Sequence, residues 1–359
     1  MPDLLPELVG AVGLAAVLAY AVLAGADFGG GVWDLLARGP RAQAHRTAIA
    51  EAMGPVWEAN HVWLIFVIVL LFTAFPPAYA ALSVAFFVPF HLVLAGIVLR
   101  GASFVFRAHG HEAAAAPLGW GHVFGIASVI TPVLLGACLG AISTGQIRVE
   151  AGSVVAGSAL TWLRPFPLAT GALALAVCAY LAAIYLTIET EGAVQQDFRR
   201  RALWVWLVAG VLALGVLVLT STEAPRLWSR LTGGPAGLAV VGGVLLAPAS
   251  AWAMWRRHFH WARVLGVGQV VLLLTGWALA QWPYIIYPDV DLRRAAAPDA
   301  TLRAVVWTLP FGLGLLVPSL WFLFAVFKGR NPAPTDEPAG VKRPYARRAP
   351  PPSPPRAPR

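Results

Sequence analysis

Nine apolar runs separated by short polar connectors organise this chain of 359 residues. They cover about Leu8 to Gly25, Pro55 to Phe75, Ala80 to Leu99, Val123 to Ile142, Phe166 to Ile188, Leu203 to Leu219, Ala236 to Met254, Val264 to Ala280 and Ala304 to Phe327. A helix needs roughly 18 or more such residues to cross a hydrocarbon core about 30 Å thick. The pattern therefore predicts an all-α, polytopic membrane protein with nine transmembrane helices, its integral membrane domain spanning residues 1–330. Residues 331–359 break the pattern: they hold ten of the 29 prolines and six of the 26 Lys and Arg, a composition that reads as a disordered Pro/Arg-rich tail.

Local signals set the boundaries. The first run has Asp3 and Glu7 before it and no Lys or Arg, the wrong sign for a secretory leader, so it reads as a retained helix. It passes into Asp27-Phe28-Gly29-Gly30-Gly31, whose glycines would let a neighbouring helix approach closely. A polar connector with Arg38, Arg41, His45 and Arg46 follows. Phe75-Pro76-Pro77 ends the second run, because proline lacks the amide donor and disfavours helix in the residue before it. Arg100 and Arg107 bracket Phe104 and Phe106 in the manner of an interfacial anchor.

Composition agrees with the membrane reading. Hydrophobic residues make up 58% and charged residues 12%, against roughly 45–50% and about 25% in soluble domains. Cys138 and Cys178 both lie in apolar runs and read as packing residues. The net charge of +9 does not point to nucleic acid, because it is concentrated in the tail and in connectors on one side. With nine spans, one side holds nineteen Lys and Arg and the other seven. By the positive-inside rule the C-terminus is cytoplasmic and the N-terminus outside.

The stretch Gly54 to Leu70 mixes chemistry with membrane most closely. As a helix it puts Trp57, Glu58, His61 and Leu64 on one strip and Trp63 on another. Ionisable groups at membrane depth are expensive and usually pair or line a path. Glu58 suits a helix start after Pro55, where the dipole favours a carboxylate, and it equally suits proton handling; Asp27, on the same side, is a candidate partner. Trp57 and Trp63 either line a path or anchor the helix. A haem-bearing bundle would need axial histidines, yet only His91 lies well inside a span, where it is better read as hydrogen-bonded. No metalloprotease, paired Cys or nucleophile-base motif occurs, so no metal site is expected.

These residues carry a resemblance to subunit II of the cytochrome bd-type quinol oxidases. Asp27-Phe28-Gly29-Gly30-Gly31 resembles the family's segment after helix one, and Gly54-Pro55-Val56-Trp57-Glu58-Ala59-Asn60-His61-Val62-Trp63-Leu64 resembles its central signature. Phe75 to Ala80, Arg100-Gly101 with Phe106-Arg107, Gly276 to Gln281 and Ala297 to Leu302 are similar to family segments too. The resemblance implies two four-helix bundles plus one extra helix, in a prokaryotic cytoplasmic membrane, forming a heterodimer with a homologous subunit I. Haems b and d would belong to subunit I, which oxidises quinol and reduces dioxygen to water, and this chain would bind no cofactor alone. It would stabilise its partner and contribute proton access through Asp27, Glu58, Asn60 and His61, with Trp63 and Trp57 near an oxygen route or in packing. Some members also hold a structural quinone or carry small accessory subunits. Two positions depart from the pattern: Ala24 replaces an acid, and His61 stands where Gln or Glu is common. A secondary transporter with a site at Asp27 and Glu58 is the alternative; it would show related halves and broken helices at matched positions.

Overall fold

The computed structural model describes residues 4–53, 57–109, 119–150, 153–157 and 160–328. The side chains of residues 53, 57–59, 108–109 and 323–328 lie outside that description, as does the whole of the 331–359 tail. The chain begins with α1 (Leu5–Leu35), α2 (Ala42–Met53) and α3 (Trp57–Ala74), followed by α4 (Pro76–Ala85), α5 (Phe87–His109) and α6 (Trp120–Ala141). A small antiparallel hairpin, β1 (Arg148–Glu150) with β2 (Ser153–Ala156), leads to α7 (Pro165–Glu189) and α8 (Gly192–Glu223). Then come α9 (Pro225–Leu231), α10 (Gly234–Trp255), α11 (Phe259–Gln281), a second hairpin of β3 (Tyr284–Ile286) and β4 (Val290–Asp291), and α12 (Asp299–Lys328). Eight described helices are long and apolar enough to cross a membrane, and the bent α3–α4 pair supplies a ninth when counted as one span.

Packing sorts these helices into two groups. In the first, α1 packs on α3 and α6, and α6 on α5; in the second, α7 packs on α8 and α11, and α10 on α11 and α8. The groups meet where α7 lies against α1 and α6. The last helix stands outside both: Leu302 at its start enters the core, and from Arg303 to Phe322 none of its residues is buried.

Three sequence expectations are corrected. The first helix does not stop near Gly25 but runs on to Leu35, carrying the glycine run inside it. A Cβ on Gly29 would overlap the Cys178 carbonyl, and one on Gly31 would overlap Ser128, so these glycines are where α7 and α6 seat against α1. The connector holding His45 and Arg46 is helix α2, with Ala48, Ile49 and Ala52 buried. The third span starts at Phe87 rather than Ala80: Pro76-Pro77 opens the separate ten-residue α4, bent 119° from the end of α3. Pro89 falls in the first turn of α5, where its missing donor removes no helical hydrogen bond.

Two apolar clusters occupy opposite ends of the assembly. One gathers Val9, Leu70, Phe75, Phe86, Leu134 and Ile286, and the other Trp33, Ile49, Tyr180, Ile184, Phe198 and Met254. The hairpin connectors tighten the first end. Asp289 accepts from Arg148 Nε at 2.7 Å and from the Val149 amide at 2.9 Å, and Trp277 Nε1 donates to Ser143 Oγ at 3.0 Å. The Arg148 guanidinium holds the Asp289 carboxyl below the usual carboxylate range.

Candidate functional site

Tyr20, Asp27 and Asp34 recur every seven residues on α1, and Arg100 and Arg107 do so on α5. Seven residues are about two helical turns, roughly 10.5 Å, so each set forms a stripe along its helix. Both helices run in the same direction, and the stripes are in register. Arg100 donates to Asp27 Oδ1 at 2.7 Å; Arg107 makes two bonds to the Asp34 carboxylate, both 3.1 Å.

The third wall comes from α6. Phe124 lies under both guanidinium groups, 4.9 Å from Arg100 Cζ and 5.5 Å from Arg107 Cζ, and Phe28 faces Arg100 at 5.2 Å. Arg100 also donates to Ser128 Oγ at 3.0 Å and to the Asp27 carbonyl at 3.1 Å. The inner pair is closed off, with side chains 1% and 2% exposed, whereas Arg107 in the outer pair is 28% exposed. A planar guanidinium suits this site, because it forks to a carboxylate while stacking on aromatic faces, and a lysine does not.

Sequence offered Glu58 as the candidate partner of Asp27, and the Glu58 side chain lies outside the described residues; among those described, Asp27 pairs with Arg100, a side chain 2% exposed. Arg107 is half-buried on Asp34. Asn60 and His61 are buried beside this core. Asn60 Nδ2 donates to the Leu23 carbonyl at 3.4 Å, and the His61 ring sits edge-on between Tyr20 and Phe28 at 6.0 and 5.8 Å. Trp63 is half-buried on α3. Trp57 and Glu58 belong to the first turn of α3, but their side chains lie outside the described residues. Sequence reasoning missed Asp34 and Tyr20, although the shared seven-residue spacing was there to find. The Tyr20 hydroxyl and Asp27 Oδ2 are buried without a hydrogen-bond partner among the described residues.

A second charged group joins α2 to α8. Arg41 forks onto Asp197 at 2.6 and 2.9 Å, His45 Nε2 lies 3.0 Å from Asp197 Oδ2, and Arg201 donates to His45 Nδ1 at 3.2 Å. An acceptor Nδ1 means that Nε2 carries the proton. Burial, then the Arg201 charge, pushes the His45 imidazole below its ordinary range. Among the described residues no three or more His, Cys, Asp or Glu are grouped to hold a metal. His91 faces outward on α5, its Nδ1 at 2.7 Å from the Phe87 carbonyl.

Fold and site together define a polytopic helical membrane subunit with a buried, ion-paired core. The chain belongs to the cytochrome bd terminal oxidase subunit II family, whose model matches residues 5–327. It is similar to a Bacillus subtilis (strain 168) chain with the provisional name cytochrome bd menaquinol oxidase subunit II, at 22% identity over 87% of this chain and 92% of the relative. The cytochrome bd ubiquinol oxidase subunit 2 of the same organism is 25% identical over 76% of this chain and 82% of its own length. The cytochrome bd-I ubiquinol oxidase subunit 2 of Escherichia coli (strain K12) is 29% identical, over 56% and 52%. Among solved structures, the bd oxidase from Geobacillus thermodenitrificans contains a chain of the same fold, with TM-score 0.76 and 22% identity over 90% of this chain and 98% of that one. The chain is thus a component of a membrane terminal oxidase, and the transporter alternative is without support.

Proposed function

We propose that this chain is the haem-free subunit II of a quinol:oxygen oxidoreductase, stabilising a subunit I that carries haems b and d, and that its charged core gives protons access to that partner. The observation that carries this reading is the Asp27–Arg100 pair, closed from solvent and continued outward by the half-exposed Arg107 on Asp34. Charges at membrane depth are retained at high cost, and ion or proton paths are their usual use. The stripe steps inward from Asp34 to Asp27 to Tyr20, with Asn60 and His61 alongside and Glu58 one turn before His61 on α3. A carboxylate and a phenol hydroxyl are groups that can pass a proton on. Trp63 and Trp57 are assigned to the wall of this region or to oxygen access. Haem ligation is assigned to the partner, as the family resemblance implies; the His61 ring packs between Tyr20 and Phe28, and His91 faces outward on α5.

The test uses the purified oxidase with its partner. Glu58→Gln and Asp27→Asn, in complexes that keep full haem content, are expected to slow proton uptake and oxygen consumption about tenfold, a barrier change of ~1.4 kcal/mol. Uptake and turnover equal to wild type in both variants would remove this core from the path.

A further inference from the structure

The stretch Trp252–Arg263, which joins α10 to α11, holds Arg256, Arg257 and Arg263 together with Trp252, Trp255 and Trp261. From Ala224 to Pro288 the chain has no Asp or Glu at all. Beside the turn, α8 brings up Arg199 and Arg200. None of these five arginines forms an ion pair among the described residues, and the charges that act on Arg199 are Arg257 and Arg200. The nearest acid along α8, Asp197, is already engaged by Arg41 and His45.

The turn is a built structure and not a loose connector. Arg199 donates to the Met254 carbonyl at 3.0 Å and to the Trp255 carbonyl at 2.6 Å, occupying acceptors at the end of α10. The His258 amide bonds the Ala253 carbonyl at 2.8 Å and the Arg257 amide the Met254 carbonyl at 3.2 Å, which is the two-bond helix stop that places a left-handed residue between them. That residue is Arg257, at φ 65°, the one described non-glycine residue with positive φ. Glycine takes this conformation without the steric cost that a side chain incurs there. The turn thus holds a charged residue in a conformation that glycine takes more easily.

The surroundings say what the charge meets. Arg256 Cζ lies 5.9 Å from the Trp252 ring centre, and Trp252, Trp255 and Trp261 are 55–65% exposed. Exposed tryptophans mark the headgroup level of a bilayer. Towards the membrane centre, α8 and α10 present exposed Val211, Leu214, Val244 and Leu245, an apolar bed suited to acyl chains.

We infer that Arg200, Arg256 and Arg257, set by Arg199 and rimmed by these tryptophans, form a binding site for the phosphate of an anionic phospholipid. Guanidinium groups pair with phosphate through two parallel hydrogen bonds, which zwitterionic headgroups with their own cation satisfy less well. The site stands apart from the charged core and does not depend on the proton reading.

The experiment purifies the complete oxidase through detergent and returns it to phosphatidylcholine bilayers with or without phosphatidylglycerol or cardiolipin, counting retained lipids by native mass spectrometry. Arg256→Gln with Arg257→Gln is expected to weaken anionic-lipid retention about thirtyfold, near fivefold for each arginine at a membrane surface. Arg294→Gln with Arg303→Gln, at the opposite end, should leave it unchanged. Arg257→Gly alone guards against a folding artefact: it relaxes the turn, so thermal stability should hold or rise while lipid retention falls. Retention equal to wild type in the double variant would overturn the site. So would protection of the wild-type complex by inorganic phosphate equal to that given by lipid, since the arginines would then read a free anion.

Discussion

Arg100 shows how much a single side chain can settle. Its guanidinium meets a carboxylate, a backbone carbonyl, a hydroxyl and two aromatic faces at once. Arg100→Lys keeps the charge and loses the fork and the stacking, while Arg100→Leu leaves the Asp27 carboxylate buried and alone. Breaking a buried pair in this way costs about 3–5 kcal/mol, so thermal unfolding of the purified complex should fall sharply for Arg100→Leu and by less for Arg100→Lys. The residue was legible in the sequence as a charge near a span end. Its partner was not, because Asp27 lies 73 positions away and the pairing exists only once α1 and α5 are both seated on α6. The Arg148–Asp289 contact follows the same logic at the surface. Its depressed carboxyl pKa contributes stability in full above the ordinary carboxylate value, about 3.9, and loses it as the pH falls below that range towards the folded pKa. Hydrogen exchange of the two hairpins should therefore accelerate on acidification to that window, and Asp289→Asn should remove the pH dependence.

At the scale of elements, α1 is the helix on which the others are set. Its glycines lie inside the helix and form the surface that lets two neighbouring helices come within backbone contact, the close approach that the run of three suggested. In a bilayer, where lipid competes for apolar surface, such close approach is what drives association. Gly29→Val is accordingly expected to push α7 away from α1 and cut the yield of assembled, haem-loaded complex, read from the absorption spectrum of membranes; Gly210→Ala, at an open helical position on α8, should not. The Pro76-Pro77 break was visible from composition, and its consequence, a separate short helix before the third span, was not. A proline pair says that a helix stops; the direction the chain then takes depends on what it packs against.

At the scale of the whole molecule, α1, α3, α5 and α6 pack with one another, as do α7, α8, α10 and α11, with α7 also seated firmly on α1 and α6 and α12 outside. From nineteen cationic residues on one side against seven on the other, we propose that the face bearing α2 and the α10–α11 turn is cytoplasmic. A reporter fused at the C-terminus should be active only in the cytoplasm, and activity on the outer side would reverse the assignment. The sequence by itself determined the membrane class, the number of spans, the family and the charge asymmetry. All of these depend on sums over runs of residues, and transfer free energies add along a chain. Only the tertiary structure decided that Asp27 answers to Arg100, that Asp34 and Tyr20 extend the same stripe, and that five arginines share one corner without a carboxylate. Those are facts about distances between helices, and a pattern of 3.6 residues per turn fixes which face a side chain occupies but not which neighbour that face will meet.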